Sequence, residues 1–572
     1  MPLPSFTVEP LGDAALVLRM GSGADSATAA RVRAAADSLS ADPPAGLVDL
    51  LPTFTTLAVC FAPDRTDAAT FHDEVRRRVA DPGEGARPSP RQFEIPVCYG
   101  GEAGPDLDAV AAATGLSAAE VVRLHVGTTH SVGMIGFAPG FPYLLGLPPA
   151  LRLPRRATPR TAVPAGSVAI AEAQTGIYPR SSPGGWHVIG RTDSPLFDPT
   201  RDPPALLRTG DRVRFVPTAA AGAGPTLPDD GIGDGVGTTL RLRVPGIATT
   251  VEDAGRPGWR AAGVPTGGAA DPLALRTANL LVGNPDSSAA LEFTFQGPCV
   301  EFLRGAWVAF AGGEFAATAT TPADGTVPLP ARHAVWLPEG AVLTLGPPPS
   351  DAVLRAGSGI RGCLAIDGGI DVPVVLGSRS TCLRAGFGGH RGRRLRAGDT
   401  LASGPARLPP PRDPSSISVL PRTVAPPTAD RRGADTILRA VAGPEWLRFP
   451  AAARDLLLGE GFTVGRASDR TGLRLEGPRL AGPGGILSEA LVPGTLQVPP
   501  DGAPILVGVD APVTGGYARI AVVATVDLPR LGQARPGERV RFVAVEVDEA
   551  RRLLADRERD LERRRVGWEC RR

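Results

Sequence analysis

Three arginines stand close together in a proline-rich segment, and their spacing suits recognition of an anion. They are Arg155, Arg156 and Arg160, and Pro154 and Pro159 restrict the backbone beside them. In an extended segment, alternate side chains point to the same side, so these arginines could face a common cleft. A guanidinium group can bind a carboxylate through two parallel hydrogen bonds. The segment therefore predicts substrate-binding arginines, with pairing to surface carboxylates as the alternative.

Residues around this segment could supply a base and an apolar wall. His187 follows a Gly-Gly-Trp turn, and histidine titrates near neutral pH, which suits a general base. We predict His187 as catalytic and keep His130 as a second candidate, although isolated histidines are more often structural. Tyr143 and Trp186 could bind substrate as a flat wall against a small ring. Core packing explains both aromatic residues equally well.

A second group of polar residues lies further along the chain, and if its members converge they could bind a polarised amide or a phosphorylated intermediate. The group consists of Asp253, Arg256, Asp271, Asn279 and Asn284. We predict that Asp253 and Asp271 are catalytic and that the other three bind substrate. Asp271 precedes Pro272, however, which favours a helix N-cap over a catalytic aspartate. Asn284 could be a turn former. Further substrate-binding candidates are Asp469, Arg470 and Gln497.

The elements that must position these residues begin with a small α/β unit. Its predicted strands and helices are Ala14–Arg19, Ser26–Ser40, Val48–Leu51, Leu57–Phe61 and Ala68–Val79. Two more helices are predicted after it. Leu107–Thr114 ends at Gly115, and Ser117 with Glu120 forms a capping box for the next helix.

From Ser131 onward, short apolar runs punctuated by Gly and Pro favour antiparallel barrels. Three signatures recur in the same order in two regions, which are Val163–Val168, Gly184–Trp186 and Gly210–Phe215, then Val492–Leu496, Gly515–Tyr517 and Gly537–Phe542. This repetition predicts one barrel topology used twice, through an old duplication. Arg396–Leu401 resembles the closing strand of a third unit.

These observations predict a mainly β protein with a small α/β N-terminal domain. The expected division is an α/β domain at 1–90, a barrel at 91–218, a linker at 219–237, a barrel at 238–404, a linker at 405–433, a barrel at 434–547 and a charged helix at 548–572. The glycines at 231–237 lie in the first linker and do not match a dinucleotide fingerprint.

Composition excludes several classes of function. The 61 basic residues against 59 acidic ones are too evenly balanced to predict binding to nucleic acid or an anionic membrane. All 61 are arginine, so the chain has no lysine for a Walker-type phosphate loop, a Schiff base or covalent attachment of biotin. The six cysteines contain no C-x-x-C pair, which argues against a metal site. The N-terminus lacks a signal-peptide pattern, so we expect a cytoplasmic location.

The first half of the chain carries motifs of a known family. They are Gly136–Leu144, Pro154-Arg155-Arg156, Pro159-Arg160, Tyr178-Pro179, Ser182–Trp186 and Gly190-Arg191-Thr192. Over roughly residues 8 to 217 this pattern resembles the KipI family, also called allophanate hydrolase subunit 1 or the B subunit of 5-oxoprolinase.

The second half resembles the KipA family, or the C subunit of 5-oxoprolinase, over about residues 240 to 546. The matching elements are Thr250–Arg256, Gly268–Asp271, Ala278–Asn284, Leu291-Glu292, Gly368–Ile370, Leu376–Thr381, Ser468–Arg470 and Gly515–Tyr517. Three positions depart from the family pattern. Glu252 replaces a usual glutamine, Ala270 replaces a usual methionine, and Asp510–Thr514 lacks the usual paired threonines.

The resemblance implies tandem cyclophilin-like barrels, shared with the carboxyltransferase part of urea amidolyase. It implies a hydrolase that opens 5-oxoproline to glutamate with a separate partner, the A subunit of 5-oxoprolinase, at a site near the junction of the barrels. ATP is expected to bind mainly to that partner. Homo-oligomerisation is also possible.

Two alternatives to this function remain. One is a carboxyltransferase that passes a carboxyl group from a separate biotinylated partner to urea or a related amide. The other is a regulator of a histidine kinase, which is the role behind the KipI name. Only the hydrolase explains why both halves would be held at fixed stoichiometry, although fusion raises the effective concentration of any obligate pair.

Overall fold

The chain begins with a four-stranded antiparallel sheet covered by two helices. The computed structural model describes residues 6–80, 90–219, 237–347, 359–424, 431–432 and 435–569. The sheet has the order β1-β2-β4-β3, and its helices bury Val32, Leu39 and Phe71 against it. The elements are β1 Thr7–Pro10, β2 Ala15–Arg19, α1 Ser26–Ala41, β3 Leu47–Pro52, β4 Thr56–Phe61 and α2 Ala68–Ala80. The strands and helices predicted for this unit are confirmed within one or two residues.

The next unit, called here the B barrel, is a closed barrel of seven strands. Going round from its first strand, the order is β5-β13-β6-β7-β10-β9-β12. The first and last strands run parallel, with Gln92 opposite Arg212. The elements are β5 Gln92–Tyr99, α3 Leu107–Thr114, α4 Ala118–Val126, β6 Thr129–Ile135, β7 Pro142–Leu145, β8 Arg160–Val163, β9 Ser167–Ala171, β10 Gln174–Ile177, β11 Ser182–Gly184, β12 His187–Arg191 and β13 Arg212–Pro217.

The middle unit, called here the C1 unit, is built from two sheets that enclose a large apolar core. One has seven strands in the order β20-β19-β22-β17-β14-β25-β24, and the other has six in the order β15-β16-β23-β18-β21-β26. The elements are β14 Thr238–Val244, β15 Ala248–Glu252, α5 Pro272–Leu281, β16 Ala290–Thr294, β17 Cys299–Phe302, β18 Ala306–Gly312, β19 Ala317–Thr321, β20 Gly325–Pro328, β21 His333–Leu337, β22 Val342–Leu345, β23 Arg361–Ile366, β24 Ile370–Asp371, β25 Thr400–Ser403 and β26 Ser418–Thr423.

Strand β26 lies in the segment that the sequence assigns to a linker at 405–433. It pairs with β21 at the edge of the six-stranded sheet, and Leu408 and Val424 are buried beside it. An edge strand tolerates proline and polar residues because one of its sides makes no ladder hydrogen bonds. Its composition therefore looks like that of a linker. The linker at 219–237 lies almost wholly outside the described residues.

The last unit, called here the C2 barrel, closes through a pairing between β28 and β34. Its order, β28-β35-β29-β30-β33-β32-β34, repeats that of the B barrel strand for strand, and β28 again runs parallel to β35. The shared topology predicted from the repeated signatures is confirmed. The elements are β27 Arg431–Arg432, β28 Asp435–Ala442, α6 Ala451–Gly459, β29 Gly461–Val464, β30 Gly472–Glu476, β31 Gly485–Ala490, β32 Thr495–Val498, β33 Ile505–Val507, β34 Thr514–Val523, α7 Leu528–Gln533, β35 Arg539–Ala544 and α8 Val547–Glu569.

Contacts between the N-terminal sheet and the C2 barrel join the two ends of the chain. Leu11, Val17 and Leu51 share one buried cluster with Val513 and Val522. The charged helix α8 also packs here, since Arg551 donates to the Asp13 carbonyl at 3.0 Å and lies over the ring of Phe61. The predicted charged helix therefore packs one of its sides against the rest of the protein.

No single described helix is both long and apolar enough to cross a membrane. Among the described helices, only α3 and α4 taken together, with a bend of 95° between them, reach that length and apolarity.

Candidate functional site at the seam between the units

A buried carboxylate organises two of the predicted arginines in the B barrel. Asp106 precedes α3 and is 3% exposed. It accepts hydrogen bonds from Arg160 at 2.7 and 2.8 Å, from Arg156 at 2.8 Å and from the backbone N–H of Val188 at 2.7 Å. Burial raises the pKa of Asp106, but these donors and charges outweigh it and hold the pKa below its ordinary value. Asp106 therefore fixes both arginines.

Arg155, the third arginine, is held only weakly. Its Nε lies 3.1 Å from Oε1 of Glu172, and both side chains are 57% exposed. Such surface ion pairs contribute little to stability because water screens them. Of the three predicted arginines, Arg155 is the one whose guanidinium is most available to a ligand.

His187 lies at the start of β12, beside this arginine segment. Its Nε2 is 2.9 Å from the carbonyl oxygen of Pro154. A carbonyl only accepts, so we assign the hydrogen to Nε2, which leaves the lone pair on Nδ1 in the neutral ring. This Nδ1 is buried and has no hydrogen-bond partner among the described residues. The tautomer suits a proton acceptor.

His130 has different surroundings, deep in the barrel. Its ring lies 5.1 Å from that of His125 and 5.4 Å from that of Phe215. Burial lowers the pKa of His130 to about 4, so the ring is neutral near pH 7. This residue belongs to the barrel core.

Tyr143 and Trp186 contact each other and their aromatic neighbours. Their ring centroids are 5.8 Å apart with the planes at 72°, and Phe141 lies within 6 Å of both. Edge-to-face contacts of this kind are the usual packing of aromatic clusters. Trp186 is only 6% exposed, so packing accounts for most of its surface.

In the C1 unit, Asp253 ties two loops together. Its Oδ1 accepts from Gly255 N–H and from the hydroxyls of Ser378 and Ser380, at 2.6 to 2.8 Å. Its Oδ2 accepts from the N–H of Arg379 at 2.6 Å. Four donors satisfy this carboxylate, which makes it a structural clamp.

Asp271 precedes helix α5, Asn279 lies within it, and Asn284 follows it. Asp271 caps the helix by accepting from Ala274 N–H at 2.8 Å, so the predicted N-cap is confirmed. Asn284 donates to Asn279 Oδ1 at 2.9 Å and to the Ile366 carbonyl at 2.8 Å. These amides hold the helix against the sheet.

Arg470 reaches from the C2 barrel into the C1 unit and meets three carboxylates. Its Nε donates to Asp510 at 2.7 Å, its Nη1 donates to Glu292, and its Nη2 lies 3.6 Å from Glu252. The same Nη2 donates to the Gly268 carbonyl at 2.6 Å. A single described guanidinium thus contacts three acidic side chains at the seam between C1 and C2.

Glu252 is the exceptional member of this cluster. It is 1% exposed, and neither of its carboxylate oxygens makes a hydrogen bond of ordinary geometry in the described part of the chain, although the Thr250 side chain lies near enough to lower its pKa slightly. Burial raises the pKa of Glu252 well above its usual range, Asp510 and Glu292 add to the rise, and Arg470 opposes it. Glu252 is therefore an acid that tends to keep its proton.

The B barrel meets both C1 and C2 at the loop that begins with Gly136. Phe137 N–H donates to Thr514 Oγ1 of the C2 barrel at 3.2 Å, and Gly140 N–H donates to the Ala262 carbonyl of C1 at 2.9 Å. Gly263 lies so close that an added Cβ would stand 2.6 Å from the Ala138 carbonyl oxygen. A loop of the first half thus touches both parts of the second half.

Asp469 and Gln497 form contacts within the C2 barrel. Asp469 is exposed and accepts from Thr471 N–H at 2.7 Å, which is a turn contact. Gln497 is buried in β32 and donates to the Tyr517 carbonyl at 3.3 Å. Among the described residues, no group of three or more His, Cys, Asp or Glu side chains could hold a metal ion.

Sequence reasoning missed several polar residues that the fold brings to the seam. Glu252, Glu292 and Asp510 stand inside the motifs of the second half, but nothing in their spacing indicates that they meet around Arg470. For Asp106, the only local indication was its position just before a predicted helix. Their common feature, charge in a buried place, becomes visible only in three dimensions.

The fold and site define a protein of tandem β units in which polar loops from both halves meet at the interfaces between the units. Two carboxyltransferase family models match it. "Carboxyltransferase domain, subdomain C and D" covers residues 6–207, and "subdomain A and B" covers residues 262–544.

Curated relatives identify each half. The chain is 42% identical over 221 residues to the 5-oxoprolinase B subunit of Bacillus subtilis, which spans 37% of this chain and 92% of that protein. It is 36% identical over 342 residues to the 5-oxoprolinase C subunit of Escherichia coli, spanning 58% of this chain and 98% of that protein. The chain belongs to the family of the 5-oxoprolinase B and C subunits, with the two fused into one polypeptide.

Two further comparisons extend this result. Urea amidolyase of Saccharomyces cerevisiae is 31% identical over 334 residues, which cover 55% of this chain and 17% of that protein. The crystal structure of TTHA0988 has a TM-score of 0.80 at 36% identity and covers 94% of this chain and 100% of that one. The arrangement of all units therefore recurs in a solved structure, and the mainly β fold class is confirmed.

Proposed function

We propose that this chain is the fused B and C component of an ATP-dependent 5-oxoprolinase, which opens 5-oxoproline to glutamate together with a separate partner, the enzyme's A subunit. The observation that carries the proposal is coverage. One chain spans 92% of a B subunit, together with 98% of a C subunit. The contact of the Gly136 loop with both C1 and C2 gives a physical reason for keeping these halves together.

In this proposal the chain contributes to substrate binding and ring opening. Opening the lactam adds one water across a stable amide bond, and ATP hydrolysis supplies the driving force. The sequence has no lysine for a Walker-type loop, so phosphoryl transfer belongs in this proposal mainly to the partner. His187, whose Nδ1 is free to accept a proton, is the proposed base, and Arg155 the proposed mobile ligand for substrate.

A carboxyltransferase acting on urea or a related amide is the second candidate. The similarity to yeast urea amidolyase over 55% of this chain favours it. Because the sequence has no lysine, such an enzyme would need a separate biotinylated protein. The cytoplasmic location and a homo-oligomeric state stay predictions.

The decisive experiment is an assay of the purified chain with a homologue of the A subunit from the same genome. Glutamate and phosphate release are measured from 5-oxoproline and ATP, with each protein and each substrate omitted in turn. We expect release only when both proteins are present. Failure to release glutamate with a competent partner would contradict the proposal. Transfer of a carboxyl group to urea from an added carrier loaded with carboxybiotin would then support the second candidate.

Variants connect this assay to the site. Arg155→Ala should reduce kcat/KM by at least about tenfold, because a charge-assisted hydrogen bond to substrate is worth roughly 1.5–3 kcal/mol. Arg212→Ala, an exposed arginine on β13, is the matched control and should leave kcat/KM unchanged. Equal activity of both variants and the wild type would remove Arg155 from the site.

A further inference from the structure

Two arginines from different halves contact one glycine-rich loop. The loop, Cys382–Gly389, belongs to C1 and is called here the seam loop. Nη2 of Arg180, from the B barrel, lies 2.8 Å from the position that a Cβ would take on Gly386. Nη2 of Arg256, from C1, lies 2.9 Å from the corresponding position on Gly388. The two guanidinium groups therefore approach the loop only two residues apart.

Neither of these cations is neutralised by a carboxylate. Arg256 is 1% exposed; its Nη2 donates to the Ser380 carbonyl, while its Nε and Nη1 have no partner among the described residues. Its guanidinium carbon lies 5.1 Å from the centre of the Phe387 ring. The Nη1 of Arg180 is likewise buried without a partner in the described part of the chain. No described carboxylate forms an ion pair with either arginine.

This arrangement differs from that of Arg160 and Arg470. Arg160 and Arg470 each face at least one carboxylate at hydrogen-bond distance. Burying a cation without a counter-charge costs free energy, and burying two beside one loop costs more. Burial lowers the pKa of Arg180, in agreement with the missing counter-charge. An anion bound between the two guanidinium groups would remove this cost.

Neighbouring groups do not supply that anion. Burial raises the pKa of the Cys382 thiol to about 11, so this side chain is uncharged near pH 7. Asp510, on the C2 side, lies near Arg256, since a Cβ on Gly267 would stand 3.4 Å from Arg256 Nη1 and 3.8 Å from Asp510 Oδ1. The two side chains form no ion pair, and Asp510 is bound by Arg470 at 2.7 Å. The glycines also keep the approach open, because Gly386 and Gly388 have φ of 63° and 69° and side chains there would crowd the guanidinium groups.

We propose that Arg180 and Arg256 bind one small oxyanion at the seam loop, and that this oxyanion is the carboxylate of the cyclic-amide substrate. The oxyanion site follows from the two unpaired arginines, whereas the choice of the substrate carboxylate rests on the proposed function. One substrate would then be held by residues of both halves. This gives the fusion a direct chemical purpose.

Binding to the purified full chain, with neither ATP nor the partner protein present, tests the proposal. Isothermal calorimetry and thermal unfolding are measured with L-5-oxoproline, with 2-pyrrolidinone, which is the same ring without the carboxylate, and with inorganic phosphate. We expect 5-oxoproline to bind and to raise the Tm as its concentration increases. We expect 2-pyrrolidinone to have no such effect. Binding of phosphate but not of 5-oxoproline would overturn the carboxylate assignment.

Substitutions locate the binding. Arg180→Gln should weaken 5-oxoproline binding by about 10- to 100-fold, the range for losing one or more hydrogen bonds to a charged group. Arg212→Gln is the control and should bind like the wild type. Arg180 is only partly buried, and Arg180→Lys, which keeps the charge but loses the planar fork, serves as a second variant with a smaller loss. Unchanged binding in both Arg180 variants would overturn the site.

The outcome is separable from that of the activity assay. Weakened 5-oxoproline binding in Arg180→Gln, together with no glutamate release by the wild-type chain and its partner, would keep the oxyanion site and reject the 5-oxoprolinase function. Glutamate release with undisturbed binding in the Arg180 variants would do the reverse.

Discussion

The B barrel and the C2 barrel use one strand order, and each places a buried carboxylate at the same point. In the B barrel, Gly100 N–H donates to the Ile189 carbonyl, and Asp106 accepts from the N–H of the preceding Val188. In the C2 barrel, Gly443 N–H donates to Ile520, and Glu445 accepts from the N–H of Arg519 at 3.0 Å. The two carboxylates are therefore equivalent clamps on equivalent strands.

The arginines bound to these clamps have different surroundings. Arg519 is 0% exposed, donates to Glu445 at 2.8 and 2.9 Å, and shares Glu489 with Arg19 of the N-terminal sheet. Arg156 and Arg160 are 31% and 26% exposed. One clamp thus seals an interface, while the other presents two oriented guanidinium groups at the surface. The same topology buries its arginine in one barrel and leaves its two arginines partly exposed in the other.

Removing the sealed arginine should have the largest effect on stability. Arg519→Ala leaves the buried Glu445 with only the longer contact to Arg19 at 3.7 Å, and breaking a buried pair from one side costs about 3–5 kcal/mol. Urea unfolding, followed by tryptophan fluorescence, measures the change. Arg214→Ala, which loses only an exposed pair with Glu94, is the control and should cost less than about 1 kcal/mol. Equal losses of stability in Arg519→Ala and Arg214→Ala would contradict the stabilising role given to the buried arginine.

Changing Asp106 in the B barrel should cost less stability than Arg519→Ala. Asp106→Asn removes the charge that Arg156 and Arg160 share but keeps an acceptor for Val188, so the cost should be roughly 1.5–3 kcal/mol. The loss should vanish in acid. The folded-state pKa of Asp106 is lowered, so its contribution is present above the unfolded pKa and disappears as pH falls through the folded one. A difference from the wild type that stayed constant with pH would contradict this account.

The smallest expected change in stability is a gain, and it concerns Glu252 at the interface between C1 and C2. Glu252→Gln should stabilise the protein at pH 8, because a neutral amide replaces a buried acid whose pKa burial raises. An acid with a raised folded-state pKa loses stability as pH rises above the unfolded pKa, so the wild type should weaken towards alkaline pH while the variant changes less. Thermal unfolding between pH 5 and about 9 measures this. Groups facing Glu252 are Arg470, Asp510 and Glu292.

A variant that is less stable than the wild type at every pH would mean that Glu252 is ionised and paired with Arg470. Glu292→Gln provides the matched control at the same cluster. It removes a carboxylate that donors hold on both oxygens, so we expect it to destabilise the protein.

Local features of the fold were predictable because their causes lie within a few residues. The capping box of Ser117 and Glu120 is confirmed, as is the end of α3 at Gly115, whose φ is 70°. The Asp271 cap depends only on its neighbours and is also confirmed. Edge strand β26 was assigned to a linker because its stability comes from β21, a distant partner.

The candidate site divides in the same way. Arg155, Arg160 and His187 were selected from their motif, but the sequence could not reveal that Asp106 already holds Arg160 while Arg155 stays exposed. Arg180 was not selected at all, since a single arginine after proline carries no local signal. Its partner in the seam, Arg256, lies 76 positions further along the chain.

By itself, the sequence determined the family, the mainly β class, the duplicated barrel and the helix caps, because these depend on periodicity, turn residues and motif order. Only the tertiary structure decided which charges are neutralised. Whether a guanidinium is paired depends on residues brought together from separate units, as with Arg470 and its three carboxylates or with Arg180 and Arg256 at one loop. The free energy of a buried charge is set by what surrounds it in space, and position along the chain does not encode that environment.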